Sequence, residues 1–222
     1  MGYKLDDKDI KLTGKQWTKI GTGAKGDVYK YRNMALKIFK EDRDTPIDVD
    51  TAEYLSNIST DRIVLPINLL FYNNSFRGYT YKLVPKKGTG NRMIMLPKGD
   101  LVQDIRLLER DIETLSNKQV LLSGIEPTNT IFNGNLYITD PTGYRVLEGC
   151  DSFELEKLNK YQLHLLLISL IVAELRKNNF KSKVQTDVKS LLEMKDVSMD
   201  SSEFISDVIG NNETLKQFVK KL

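Results

Sequence analysis

Ile20-Gly-Thr-Gly-Ala-Lys-Gly-Asp-Val-Tyr29, followed after a short bridge by Met34-Ala-Leu-Lys37, decides how the rest of the chain reads. Gly21, Gly23 and Gly26 form the pattern G-x-G-x-x-G, with Val28 two residues on. Such a pattern opens a dinucleotide-binding helix when a helix follows the third glycine and an acid sits about twenty residues later. Here Asp27-Val-Tyr-Lys-Tyr31 reads as a strand, Asn33 breaks it, and Ala35-Leu-Lys-Ile-Phe39 reads as another. The stretch is thus a strand, a glycine turn, a strand, a tight turn and a strand carrying an inward lysine. Glycines let backbone N–H groups approach phosphate oxygens without interference from a Cβ.

Outward from this hairpin the chain alternates strand and helix signals. Residues 1–14 are polar and read as a loosely held arm, and Gln16 to Ile20 enters the first strand with Trp17 as a core anchor. Glu41 to Asp50 is charged, contains Pro46 and reads as a loop. Asp50 or Thr51 would cap a helix in which Ala52, Leu55 and Ile58 recur at helical spacing. Ile63–Tyr72 and Phe76–Val84 flank the turn Asn73-Asn74-Ser75 and read as the last hairpin of a five-stranded sheet. Pro85-Lys-Lys-Gly-Thr-Gly90 leaves that sheet as a link. Leu101 to Asn117 is helical, with Leu101, Ile105, Leu108, Ile112 and Leu115 on one stripe.

A second informative stretch runs Ile125-Glu-Pro-Thr-Asn-Thr-Ile-Phe-Asn-Gly-Asn-Leu-Tyr-Ile-Thr-Asp140. It resembles the catalytic loop, hairpin and metal-binding Asp of the protein kinase family. Pro127-Thr-Asn129 matches that loop's Pro-x-Asn, Asn133-Gly-Asn135 turns the hairpin, and Asp140 falls where the Asp of D-F-G belongs. Taken with the glycine hairpin, the resemblance covers roughly residues 17–177. It implies an α+β, two-lobed protein-kinase-like fold: a five-stranded antiparallel N-lobe sheet with one helix, and a reduced, mainly helical C-lobe. The corresponding boundaries are about 15–84 for the N-lobe, 85–90 for the hinge and 91–222 for the C-lobe, in one domain.

The resemblance also implies roles. Lys37 would meet the α and β phosphates of ATP, Glu53 would pair with Lys37, and backbone groups near Leu83 and Val84 would face the adenine, with Tyr81 at the back of the pocket. Gly21, Gly23, Gly26 and Val28 would cover the nucleotide. Asn129 and Asp140 would hold Mg²⁺, or Mn²⁺, against the phosphates. One carboxylate and one carboxamide suit a cation that takes its other oxygens from phosphate.

Departures from the family are as informative. Leu122-Ser123-Gly124 stands where His-Arg-Asp belongs, so the carboxylate that accepts the substrate's proton is missing. Glu126 occupies a position where a lysine is common, D-F-G becomes Asp140-Pro-Thr, and no Ala-Pro-Glu follows. The expectation is a nucleotide-binding pseudokinase that acts through a regulated protein partner. One alternative is an active atypical kinase or AMP-transferase with Glu126 as a displaced base. Another is an interaction domain that has lost the ligand.

Downstream, Asn159 to Leu175 resembles the long buried helix of the lower lobe, with Asn159 where the family often has Asp. His164, the single histidine, sits on that apolar helix as a core or boundary residue. Val184–Met194, Phe204–Ile209 and Glu213–Leu222 read as further helices, separated by a polar break at Lys177–Lys183 and by Gly210-Asn-Asn.

Composition narrows the setting. Thirty-three Lys and Arg against thirty acids give +3, too balanced to argue for nucleic acid or a membrane surface as partner. Cys150 is the single cysteine, which excludes an intrachain disulfide and points to a reducing, cytoplasmic setting. The charged start has no apolar signal region, and the longest apolar run, Leu163–Ala173, is short for a bilayer.

Overall fold

The computed structural model describes the chain except residues 1–2, 6–7, 11–16, 41–45, 86–92, 94–95, 178–184, 187–188, 191–199 and 222. It is α+β. Strands β1 (Tyr3–Leu5), β2 (Lys8–Ile10), β3 (Trp17–Thr22), β4 (Gly26–Tyr31), β5 (Met34–Phe39), β6 (Pro66–Tyr72) and β7 (Ser75–Lys82) form one antiparallel sheet in the order β2-β1-β6-β7-β5-β4-β3. Seven strands replace the expected five, because part of the polar arm is β1 and β2. Tyr3 sets its ring 4.7 Å from that of Tyr72, and Leu5 packs onto the Tyr31, Leu36 and Leu70 cluster. The pairing covers an edge of β6 that would otherwise expose unpaired backbone groups.

Two turns follow the residue chemistry. Asn73 and Asn74 both take positive φ, 48° and 65°, as a tight hairpin with right-handed strand twist requires. Arg32, φ 54°, bends the chain before Asn33. Trp17 stacks on Tyr31 with ring centroids 4.2 Å apart, which anchors β3 to β4.

Helix α1 (Val49–Ser56) starts earlier than its sequence suggests. Asp48, rather than Asp50 or Thr51, caps it by accepting from Thr51 N at 2.7 Å and from the Thr51 hydroxyl at 2.8 Å. Thr51, Ala52 and Leu55 are buried against the sheet, and Ile58 packs just past the helix end.

Beneath the sheet lie α2 (Lys98–Asn117), α3 (Ser152–Lys177), α4 (Ser201–Ile209) and α5 (Leu215–Lys220). Two small antiparallel pairs accompany them: β8 (Val120–Leu121) with β11 (Arg145–Val146), and β9 (Thr130–Phe132) with β10 (Leu136–Ile138). The apolar stripe of α2 is fully inside, joined to Leu163, Leu167 and Ile171 of α3 and Phe204 of α4. Helix α3 begins at Ser152, ahead of Asn159, and is long and apolar enough to cross a membrane by length and composition; half of that stretch is buried within the fold. The helix read at Val184–Met194 and the break at Lys177–Lys183 lie largely outside the described residues.

Buried polar groups tie the layers together. Asp111 of α2 accepts from the backbone N–H groups of Asp61, Arg62 and Ile63 at 2.9, 2.6 and 2.8 Å. Asp104, two turns earlier on the same face, pairs with Arg62 Nε at 2.7 Å and accepts from Leu136 N. The held segment then bonds β10, with Val64 N to Ile138 O at 2.8 Å and Ile138 N to Arg62 O at 3.0 Å. Asn159, fully buried, accepts from Leu122 N at 2.7 Å and donates to the Ser116 hydroxyl and Val120 O, each at 2.9 Å. It thereby fixes the strand that leads into the loop at Gly124.

Asn159→Ala is expected to lose about 2–4 kcal/mol in urea denaturation, because it orphans a buried amide and a carbonyl. His164 gives a pH prediction. It is 2% exposed, 4.1 Å from the Phe204 ring, and neither ring nitrogen has a partner among the described residues. Burial pushes its pKa below the ordinary 6.5. Below that value the unfolded chain binds a proton that the folded chain resists, so stability falls as pH drops toward the folded pKa. Wild type should lose more stability than His164→Leu between about pH 7.5 and about pH 5; equal losses would contradict the burial argument.

Candidate functional site

Strand alternation sends Gly26, Val28 and Lys30 of β4, Ala35 and Lys37 of β5, and Tyr81 of β7 to one face of the sheet. That face roofs a cavity of about 450 Å³. Ile20, Gly21, Thr22 and Gly23 close its outer side, Leu83 to Pro85 its back, and Thr128 to Ile131 with Thr139 and Asp140 its floor. Of the residues singled out in the sequence, Gly21, Gly23, Gly26, Val28, Lys37, Leu83, Val84, Asn129 and Asp140 meet here.

The cavity has two ends of different character. Ile20, Val28, Ala35, Leu83 and Ile131 form an apolar slot, with Ile20 45% exposed at the mouth. At the other end Lys37, 5% exposed, forms an ion pair with Asp140 Oδ1 at 2.5 Å. Burial pushes the Lys37 ammonium below its ordinary pKa, and Asp140 draws it part of the way back. For Asp140 burial acts upward, but the Lys37 charge and hydrogen bonds from Lys37 and Thr142 outweigh it and hold the carboxyl below its ordinary range.

Asp140 is placed by its backbone as well as by its partners. It takes φ 68°, ψ 76°, immediately before Pro141, a left-handed conformation that Asp tolerates better than most residues. Its Oδ1 accepts from Thr142 N at 3.4 Å and from the Tyr79 hydroxyl at 3.5 Å. Tyr79 sits directly across from Lys37 on β7 and is fully buried; burial and the Asp140 charge keep its phenol protonated by raising its pKa. Tyr79, Thr142 and Ile131 also belong to this neighbourhood, although no motif marks them as site residues. Tyr79 read as an ordinary strand aromatic, and only the register opposite Lys37 reveals its position.

Asn129 closes a single 3-10 turn, Pro127–Asn129. Its Nδ2 donates to Gly124 O at 3.1 Å, and its carbonyl accepts from Thr139 N at 2.7 Å and the Thr139 hydroxyl at 2.9 Å. These bonds set the Asn129 loop beside the strand end that carries Asp140. A carboxylate and a carboxamide on one cavity floor fit a hard cation such as Mg²⁺ that keeps phosphate or water oxygens for its other positions.

Gly26 has a second reason to be glycine. A Cβ there would lie 2.5 Å from Ile38 O, so the close approach of β4 to β5 demands its absence. Gly78, read only as part of a strand, is similar: a Cβ would collide with the Lys37 carbonyl.

Two expected participants stand apart. Glu53 is exposed on α1; its helix turns Thr51, Ala52 and Leu55 inward, which leaves Glu53 on the opposite side. Among the described residues the ion partner of Lys37 is Asp140, and Glu53 joins none of the ion pairs. Glu126 is exposed before the 3-10 turn, accepts from the Thr128 hydroxyl at 3.4 Å, and does not line the cavity. A second cavity of about 360 Å³, bounded by Ser56–Asp61, Ile63–Ile67 and Lys82, gathers no comparable set of groups. The chain matches no protein-family model and no curated protein.

The ion pair yields a titration prediction. The stability that Asp140 contributes is present above its unfolded value, near 3.8, and is lost as pH falls through its lower folded value. In Lys37→Met the burial penalty remains while the opposing charge is gone, so the Asp140 carboxyl should titrate at higher pH. Carbon-13 NMR of the Asp140 carboxyl checks this, and an unchanged midpoint would contradict the pairing.

Proposed function

We propose that this chain is a nucleotide-binding protein of two-lobed, protein-kinase-like type that binds Mg-ATP and lacks the catalytic-loop carboxylate: a pseudokinase. The single observation that carries the reading is the Lys37–Asp140 ion pair at the polar end of a cavity roofed by the glycine turn. A strand lysine and a loop aspartate, 103 residues apart in sequence, converge there beside Asn129. The seven-stranded sheet above and the helical layer below agree with two lobes.

In this reading the base lies in the apolar slot between Val28 and Ala35 above and Ile131 below, with backbone groups near Leu83 and Val84 at its edge. The phosphates run toward Lys37, under the turn at Gly21 to Gly26. Lys37 exchanges part of its hold on Asp140 for phosphate oxygens. Asp140 and Asn129 would hold Mg²⁺ or Mn²⁺, which neutralises phosphate charge when bound. The carboxylate expected at the catalytic loop is missing, since Gly124 has no side chain, and Glu126 is exposed and is not among the residues that line the cavity. The output is then a nucleotide-dependent conformation read by a protein partner.

Calorimetry tests the binding. Wild type should bind Mg-ATP, and Lys37→Ala and Asp140→Ala should each weaken it by about tenfold or more, the scale of a lost charged contact. Affinity unchanged in both variants would overturn the assignment. Mass spectrometry after incubation with Mg-ATP or Mn-ATP should show an unmodified chain. Addition of phosphate or AMP that disappears in Asp140→Ala would instead make the protein an enzyme.

A further inference from the structure

The glycine turn carries a lysine of its own. Lys25 is exposed at the tip between Gly23 and Gly26, in a turn closed by Gly23 N to Gly26 O at 2.9 Å. Its Nζ reaches down to the Thr142 hydroxyl at 3.5 Å, bridging the turn to the segment that follows Asp140. Thr142 in turn donates its N–H to Asp140 Oδ1. Lys25 is also near enough to Lys37 for its charge to help lower the Lys37 pKa.

The charged groups at this cavity are unbalanced. Among the described residues, Lys30 and Lys37 line it and Asp140 is the acid in that lining, while Lys25 stands at its rim, between the lining residues Gly23 and Gly26 and bonded to Thr142. Asp27, next to the turn, is paired with Lys19 at 2.7 Å, and Glu126 lies outside the lining. Two lining ammonium groups, with a third at the rim, outnumber the lining carboxylate and favour a ligand with several negative charges.

Register assigns the lysines to different parts of such a ligand. Lys37 lies opposite Val28, and Lys30 opposite Ala35, two residues along β4. That displaces Lys30 by about 7 Å toward the apolar slot. Lys25 is displaced the other way, beyond Gly26, at the polar end where it meets Thr142. A chain of phosphates leading away from a base in the slot passes Lys37 first and Lys25 last.

We infer that Lys25 binds the terminal phosphate of a nucleoside triphosphate, so that this site prefers triphosphate to diphosphate. The inference rests on the nucleotide-binding reading above. In the bound state the phosphate takes the place of the Thr142 hydroxyl as Lys25's partner. The glycine turn, drawn down by that contact, closes over the polar end. Because Lys25 is exposed, its replacement leaves the core untouched.

The test is calorimetry on the full chain with Mg-ATP and Mg-ADP for wild type, Lys25→Met and Lys25→Arg. Wild type should bind ATP more tightly than ADP. Lys25→Met should weaken ATP by about tenfold and ADP by no more than about twofold, whereas Lys25→Arg should keep most of the preference because it keeps the charge. Loss of ATP and ADP affinity in equal proportion, or no loss of either, would overturn the role of Lys25 and leave nucleotide binding standing. Wild type that binds neither nucleotide would overturn both.

Discussion

The buried ion pair between Lys37 and Asp140 is the constraint on which the cavity depends. Lys37 comes from an inner strand of the sheet and is buried, and Asp140 comes from the loop after β10 and is half-buried. A lone buried ammonium or carboxylate would be costly, and removing one partner from such a pair destabilises by about 3–5 kcal/mol when burial is deep. Asp140 retains some exposure, 26% of its side chain, so the cost here lies below that range. The pair sets the polar end of the cavity, beside Asn129 and Thr139.

Holding that pair requires the sheet and the helical layer to stay in register, and the polar side chains of α2 and α3 do this. Asp111 gathers three backbone amides of the segment before β6, Asp104 draws Arg62 and Leu136 N together, and Asn159 fixes the strand before Gly124. Burial pushes the Asp111 carboxyl above its ordinary range, although the three amides act against that shift. These groups sit within the apolar core at a desolvation cost, and their hydrogen bonds select one arrangement of loops around the cavity.

Much of this was legible in the residues. The glycine turn, the strand lysine, the Asn73-Asn74 hairpin and the α2 stripe follow from patterns a few residues long, and the structure has each of them. That Lys37 and Asp140 share one site was implied by the order of elements along the chain, but their ion pair was not, since Glu53 was the expected partner of Lys37. What escaped depends on contacts distant in sequence. The strands β1 and β2 are three residues each and exist through the edge of β6. Asp104 and Asp111 look like solvated charges until the segment at Asp61–Ile63 is laid on them. Glu53 fits the expected spacing, yet the phase set by Thr51, Ala52 and Leu55 turns it outward. Tyr79 and Thr142 join the site through register and through the left-handed turn at Asp140, which no local pattern announces.

The most direct measurement of the central claim is a titration of nitrogen-15-labelled protein with Mg-ATP, followed by amide chemical shifts. The account predicts saturable shifts concentrated at Gly21, Gly23, Gly26, Lys37, Leu83, Val84, Asn129 and Asp140, which line one cavity. Absence of shifts, or shifts centred on the cavity at Ser56–Ile67, would contradict it.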